Sequence, residues 1–521
     1  MLVQNFLERA ARKNPYKTAL VCGQTRLTYA QIDDMSESLA ASLVDLGLKR
    51  HDRLIVFLDN SVEAVISIFG AAKAGATFVV LNPAMKAKKL NYILRDSGAS
   101  FLVAHESKSA VVKAALTDLK DPSYVIWCHK VPEMVDITAA CPIHVSWQEV
   151  IDAGAPRVLL QNVKTINVDL ATIIYTSGST GEPKGVMSTH LNVYSAASSI
   201  IQYLENNEED VILNCLPLAF DYGLYQLFMT FLFGGTLILE RSFVYPVKVL
   251  ELLEKESVTG FPIVPTMAAI IIQMENLRTM NLHALRYITN TAAALPVSHI
   301  KRLQELFPHV KIYSMYGLTE CKRVSYLPPD ELERRPESVG IPIPNEEVYI
   351  LNKNGEEIRP GEVGELVVRG ANVMQGYWNA PEETAKTFRR GRYPGEVLLF
   401  TGDLFTKDED GYLYFISRKD DLIKTKGERV SPREIEDVLS EIEGVAEAAV
   451  IGVEDELLGQ AIKAFVVPVQ GSGLNKTSIK KYCMKNLEPF MVPKYIEFCE
   501  QLPKTPAGKV DKRKLKSSER F

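Results

Sequence analysis

The segment Tyr175-Thr-Ser-Gly-Ser-Thr-Gly-Glu-Pro-Lys-Gly-Val186 concentrates groups that hold anions. Gly178 and Gly181 let the backbone turn so that N–H groups converge on one point. Thr176, Ser177, Ser179 and Thr180 add hydroxyl donors, and Lys184 supplies a point charge. The polyphosphate of ATP suits this donor set. The spacing from Gly178 to Lys184 departs from GxxxxGK followed by Ser or Thr, and from GxGxxG, so the two common nucleotide loops are excluded. A plain Ser/Gly surface loop is the bland alternative. Pro183-Lys184-Gly185, following the apolar run Ala171 to Tyr175, argues against it.

A loop of this kind needs a rigid strand behind it, and the chain has the elements to build one. Arg53 to Leu58 and Ala76 to Leu81 are apolar runs flanking a helical spacing from Ser61 to Lys73, a strand, helix, strand unit that implies a parallel sheet. The pattern recurs with Lys89 to Asp96 and Ser100 to Ala104, and with Pro296 to Leu306 and Val310 to Ser314. From Pro342 the texture changes to short strands, Val348 to Asn352 and Gly364 to Arg369, separated by turn residues such as Lys353-Asn354-Gly355. After the strand Tyr412 to Ser417 a charged stretch leads to a helix, Pro432 to Glu443, and a strand, Ala446 to Gly452. The expected fold is α/β: a large N-terminal domain of mainly parallel sheets with helices plus a small β region, then a small mobile α+β C-terminal domain with two helices. The boundaries fall at 1–417, 418–421 and 422–521.

Composition agrees with a large globular protein and removes several classes. The 521 residues exceed one ordinary core. A net charge of −5 gives no general attraction for nucleic acid or anionic membrane, so affinity for phosphate must be local. The seven cysteines show no CxxC pair and are odd in number, which suits a reducing compartment. Met1 to Leu20 carries Glu8, Arg9, Arg12 and Lys13 within its apolar stretch, so it reads as an amphipathic helix rather than a secretion signal. The most apolar segment, Tyr222 to Glu240, is interrupted by Gln226 and two glycines. A cytoplasmic protein is expected, with neither nucleic acid nor membrane as partner.

The chain resembles the superfamily of acyl-CoA synthetases, peptide-synthetase adenylation domains and luciferases over nearly its whole length. The phosphate loop is followed in order by Tyr316-Gly-Leu-Thr-Glu320, Gly364-Glu-Leu-Val-Val-Arg-Gly370, Thr401-Gly-Asp403, Ser417-Arg-Lys-Asp420 and Pro503-Lys-Thr-Pro-Ala-Gly-Lys509. The resemblance implies an ATP-dependent ligase in which a carboxylate attacks the α-phosphorus, pyrophosphate leaves, and the acyl group passes to a phosphopantetheine thiol of coenzyme A or of a carrier protein acting in trans. Each motif then has a task. Glu320 and Thr319 offer the hard oxygen ligands that Mg²⁺ prefers. Asp403 is suited to accept both ribose hydroxyls, with Arg418 reaching the same sugar. Thr291, Ala292, Tyr316 and Gly317 complete the nucleotide site. Lys509 bridges the substrate carboxylate and the α-phosphate in the transition state. Asp420 is the hinge, and Lys426-Gly427 lines the thiol tunnel after the small domain swings. The bland alternatives are a turn aspartate for Asp403, one more charge in a basic tail for Lys509, and a passive linker for Asp420.

The acid pocket is implied to include Asp221, Tyr222, Tyr225, Asn290, Met315 and Arg323. Asp221 stands where many acyl-CoA synthetases have histidine and where amino-acid-activating relatives have an aspartate for the substrate ammonium. A small amino acid or polar acid is therefore expected, with an aryl- or fatty-acyl-CoA synthetase as the alternative. Arg323 could pair with a second carboxylate or a polar substituent of the substrate, or simply neutralise Asp221. Thr289-Asn-Thr-Ala-Ala-Ala294 replaces the glycine-rich stretch that relatives place near adenine. Luciferase-like oxidation and a non-catalytic adenylate-binding protein are the competing classes. Retention of Lys184, Glu320, Asp403, Arg418 and Lys509 argues against the second.

Overall fold

The computed structural model describes the chain apart from residues 118, 120, 133–141, 178–182, 275–276, 278–279, 292–294, 420, 426–427, 456–458, 506–507 and 518–521. The expected β–α–β unit is present as Arg53–Phe57, Val62–Lys73 and Thr77–Val80, with the two strands paired parallel. Ser61 caps the helix: its Oγ accepts from the Ala64 N–H at 3.2 Å, one of the donors a helix start leaves unsatisfied.

Among the described residues the strands form four sheets. In a seven-stranded sheet the order is Ile143–Ser146, Tyr124–Cys128, Phe101–His105, Arg53–Phe57, Thr77–Val80, Leu170–Ser177, Pro183–Thr189. All neighbours run parallel except the last pair. A nine-stranded sheet has a parallel centre running from Lys311–Tyr316 through Tyr287–Asn290, Gly260–Ile263, Val211–Asn214 and Thr236–Leu239 to Thr18–Cys22, with antiparallel strands at both ends. Two helices that are apolar nearly all round, Val62–Lys73 and Asp221–Phe233, are buried in the core these sheets share, where Phe69 stacks on Phe231 at 5.0 Å. The apolar segment from Tyr222 to Glu240 is thus this helix and the strand Thr236–Leu239; no helix among the described residues is long and apolar enough to cross a membrane. The six described cysteines are free.

The N-terminal helix Gln4–Lys13 lays Phe6, Leu7 and Ala10 on this core. Its start is anchored by the Val3 N–H, which donates to His190 Nδ1 at 3.0 Å. Burial pushes His190 down to about 4. A histidine held neutral in the fold stabilises it fully above the unfolded pKa of about 6.5, and that contribution is lost as pH falls toward 4. Stability should drop by about 2 kcal/mol between pH 6.5 and pH 5 through this group. Replacing His190 with Asn should flatten that limb of a melting-temperature profile; an unchanged limb would exclude His190 as its source.

The small β region is an antiparallel sheet of Glu346–Leu351, Gly364–Gly370, Val397–Lys407 and Phe388–Arg390, with Leu413–Arg418 paired to Val397–Lys407. From Ile423 onward the chain has its own core, built on Ile423, Val430, Ile435, Leu439, Val450 and Ile479. Its antiparallel strands Val445–Asp455 and Gly459–Pro468 and the helices Pro432–Ser440 and Lys476–Asn486 meet there. Three expectations change in detail. The helix ends at Ser440 rather than Glu443, the following strand extends to Asp455, and a third helix, Lys512–Ser517, is present. That helix has one buried residue, Leu515, so it offers no apolar periodicity among its basic neighbours.

Candidate active site

The phosphate segment is flanked by two antiparallel strands. Leu170–Ser177 runs into it, Pro183–Thr189 leaves it, and register places Thr176 opposite Lys184 and Ser177 opposite Pro183. Gly178, Ser179, Thr180 and Gly181 lie outside the described residues, as do Ala292, Asp420, Lys426 and Gly427. Lys184 Nζ is 2.7 Å from Glu383 Oε2 and 5.6 Å from the centre of the Tyr377 ring. Hydrogen bonds from Lys184 and Lys386 hold the Glu383 carboxyl at about 2, well below its ordinary range. The lysine is thus positioned by a residue of the helix Pro381–Thr387. Tyr377 is placed by its neighbours: Gln375 and Trp378 donate to the Met187 and Gly185 carbonyls in the second of these strands.

The strand Lys311–Tyr316 ends at a turn, Gly317 to Glu320. A Cβ on Gly317 would lie 2.2 Å from the Lys322 carbonyl oxygen, so glycine is required there. Glu320 accepts from the Tyr377 hydroxyl at 2.6 Å, and burial followed by this carboxylate pushes that phenol up. Thr319 precedes it in the same turn. Among the described residues no cluster of three or more His, Cys, Asp and Glu side chains could hold a metal. Glu320 and Thr319 carry oxygen groups of the kind Mg²⁺ takes beside nucleotide phosphates and water.

Antiparallel register sets Asp403 opposite Arg418. Asp403 is 3% exposed; its Oδ2 accepts from the Tyr316 hydroxyl at 2.5 Å, while Oδ1 lies 3.1 Å from Arg418 Nε without the alignment of a hydrogen bond. Burial raises the Asp403 carboxyl, opposed by Arg418 and Tyr316, and Asp403 in turn raises Arg418. A buried acceptor oxygen with no donor among the described residues fits a ribose diol.

Lys509 sits on a tight turn in which the Thr505 N–H donates to the Lys509 carbonyl at 2.7 Å and the Gly508 N–H to the Thr505 carbonyl at 2.9 Å. Gly508 has φ +79°, the left-handed conformation glycine accepts without strain. A Cβ added to Gly508 would lie 4.0 Å from Val264 Cγ2, so the turn reaches the first part of the chain. Lys509 is exposed, with Arg418, Asp221, Asp403 and Glu320 within its electrostatic reach. Desolvation, then Arg418, lowers its ammonium pKa; the carboxylates of Asp221, Asp403 and Glu320 oppose that shift.

The acid-pocket residues also come together, with one rearrangement. Tyr222 and Tyr225 lie on the helix Asp221–Phe233, Asn290 ends the strand Tyr287–Asn290 with Thr291 after it, and Met315 accepts from the Tyr203 hydroxyl at 2.9 Å. Tyr222 donates to the Thr289 carbonyl at 2.9 Å. The cation facing Asp221 is Lys322, at 3.7 Å, and not Arg323, whose guanidinium lies 5.2 Å from the Tyr222 ring centre. The reason is local: Lys322 has φ +69°, which turns its side chain inward beside Arg323. Sequence reading missed Lys322, Tyr377 and Glu383. Lys322 lies two residues after Glu320 and could have been found by asking which of two adjacent cations faces Asp221; Tyr377 and Glu383 carried no motif.

A phosphate segment between paired strands, a buried carboxylate suited to ribose, hard oxygen groups on Glu320 and Thr319 and a lysine brought over from a separate domain core suit an ATP-using enzyme that activates carboxylates. The chain belongs to the AMP-binding enzyme family: that family description matches residues 7–378, and the AMP-binding enzyme C-terminal domain matches residues 434–509. It is 32% identical to a long-chain-fatty-acid–CoA ligase of Bacillus subtilis (strain 168), covering 99% of this chain and 94% of that one. It is 32% identical to an oxalate–CoA ligase of Arabidopsis thaliana, covering 98% and 97%. The solved structure of an anthranilate CoA ligase in complex with anthranoyl-AMP superposes with a TM-score of 0.88 at 26% identity, covering 100% and 97%. The chain is an AMP-forming acid–thiol ligase that uses ATP and Mg²⁺, with coenzyme A or phosphopantetheine as acceptor.

Proposed function

We propose that this enzyme activates a small, polar carboxylic acid and that the residues gathered in the cleft divide the work of adenylation among them. ATP supplies the electrophilic α-phosphorus, and Mg²⁺, held through Glu320 and Thr319, offsets phosphate charge. Lys184, with Thr176, Ser177 and the loop Gly178 to Gly181, orients the polyphosphate. Asp403 and Arg418 fix the ribose; Thr291, Ala292, Tyr316 and Gly317 border the base and sugar. Lys509 stabilises the charge that develops as the carboxylate attacks. The observation that carries this reading is the convergence of Lys509 with Glu320, Asp403 and Asp221, which share its electrostatic field though they come from distant parts of the chain.

In the proposed cycle residues 422–521 pivot on 418–421 about Asp420, so that Lys509 withdraws and Lys426-Gly427 borders the path of the thiol. The acceptor is coenzyme A or a carrier protein in trans, and the location is cytoplasmic. The pocket favours a polar over an aliphatic acid, because Asp221, Lys322 and Arg323 would each be desolvated against an alkyl tail. A substrate ammonium beside Asp221 has a competitor in Lys322. The relatives named for oxalate and for long-chain fatty acids bracket these alternatives. Acid-dependent pyrophosphate release across amino, aryl, aliphatic and polar acids tests the proposal. Small polar acids should be turned over fastest; preference for a long-chain fatty acid would refute the pocket assignment.

A further inference from the structure

We propose that the acid pocket is built for a short dicarboxylic acid, whose second carboxylate sits among Lys322, Arg323 and the Tyr225 hydroxyl. This rests on the acid-activating reading above and narrows it. Lys322 and Arg323 are each 4% exposed and Tyr225 is 1% exposed. Among the described residues Lys322 Nζ, Arg323 Nε and the Tyr225 hydroxyl have no hydrogen-bond partner. Such atoms are rare in a folded interior unless something else satisfies them. Three of them in one pocket point to a missing acceptor.

The charges point the same way. Asp221 Oδ2 is 3.7 Å from Lys322 Nζ, an ion pair beyond hydrogen-bond length, and Asp221 also lies in the field of Lys509. Arg323 has the Tyr203 hydroxyl beside it and no carboxylate paired with it among the described residues. Among the described residues, the one carboxylate at ion-pair distance from these two buried cations is Asp221, and Glu320 reaches Lys322 only as a weaker field. Lys322 Nζ lies 4.7 Å from the Tyr225 ring centre and Arg323 Cζ 5.2 Å from that of Tyr222, contacts that recover part of the desolvation cost but carry no full negative charge. An ammonium would add a third cation, an alkyl group would leave the excess unpaired, and a carboxylate cancels it. Asp221 Oδ2, 3.7 Å from Lys322 Nζ, also lies in the field of Lys509, so one side chain stands between the two ends of the site, which favours a short diacid.

Acid-dependent ATP–pyrophosphate exchange by the full chain would compare short dicarboxylates with their monoamides, ω-methyl analogues and ω-sulfonates, alongside thermal unfolding with the same compounds. The diacid should exceed its monoamide and methyl analogue by about a hundredfold in kcat/KM, since a site built for a polar group strongly rejects an analogue that lacks it. Lys322→Met should shrink that ratio by about tenfold or more. Ligand-free thermal unfolding of Lys322→Met is the folding control, since the substitution relieves the excess of buried cations and also removes the ion-pair partner of Asp221. A monoamide or methyl analogue as good as the diacid would overturn the proposal, as would a folded Lys322→Met that keeps the full ratio. Preference for the sulfonate would overturn the assignment to carboxylate. If no acid supports exchange, yet diacids raise the melting point of wild type and not of Lys322→Met, the anion site stands and the acid-activating reading falls.

Discussion

Lys509→Ala is expected to slow adenylation by about a hundredfold or more, while thioester formation from a supplied acyl adenylate keeps most of its rate. The first part follows from charge development. When a carboxylate attacks the α-phosphorus, negative charge accumulates on the oxygens between them, and a preplaced cation stabilises that charge more than the charge of the separated reactants. Lys509 is preplaced: a glycine-supported turn carries it, and Asp221, Asp403 and Glu320 hold its ammonium against the depressing effects of desolvation and Arg418. The second part follows from the proposed pivot, in which Lys509 has left the cleft before the thiol attacks. Pyrophosphate release and thiol-dependent consumption of synthetic acyl adenylate measure the two halves separately. Equal losses in both would refute the division of labour, and loss confined to the thiol step would invert it.

How far such a site could be read beforehand depended on where its information lay. The parallel units were visible because Arg53–Phe57, Val62–Lys73 and Thr77–Val80 change apolar period where the fold changes element. The nucleotide side was visible because its residues are chemically scarce: clustered hydroxyls and glycines before Lys184, and a carboxylate in Thr401-Gly-Asp403. That Asp403 and Arg418 face each other is a matter of antiparallel register, which local patterns leave open. Lys322 and Arg323 were equivalent neighbours in sequence, and a positive φ decides which one meets Asp221. Tyr377 and Glu383 reach Glu320 and Lys184 through tertiary pairing of two segments far apart in the chain, so no spacing announces them.

The same lesson holds for Asn372, which no motif marks and whose loss should be among the most damaging outside the cleft. Asn372 is 2% exposed, and its Nδ2 donates to the Cys321 carbonyl at 2.9 Å, to the Arg323 carbonyl at 3.2 Å, and to Glu346 Oε2. One amide thus clamps both ends of the left-handed turn at Lys322. Met374 N–H adds a bond to the Glu320 carbonyl at 2.9 Å, so the segment after Gly370 braces the whole run from metal ligand to pocket cations. Burial pushes the Glu346 carboxyl well above its usual range, and the Asn372 hydrogen bond opposes that shift. Asn372→Ala leaves the Arg323 carbonyl and this carboxyl without that donor, while the Cys321 carbonyl keeps the Arg323 N–H at 2.9 Å, at about 1–3 kcal/mol for each group left unsatisfied. With partial relaxation the expected total is about 3 kcal/mol, together with a fall in kcat/KM as Glu320, Lys322 and Arg323 lose their fixed positions. The companion variant Asn372→Leu with Glu346→Leu removes the buried carboxyl along with its partner. It should recover much of the stability, because apolar replacement of both partners costs far less than orphaning one. It should not recover the activity, because the turn remains unclamped. Denaturant unfolding and adenylation rates on both variants separate the two effects; a single variant as stable and active as wild type would remove Asn372 from the support of the site.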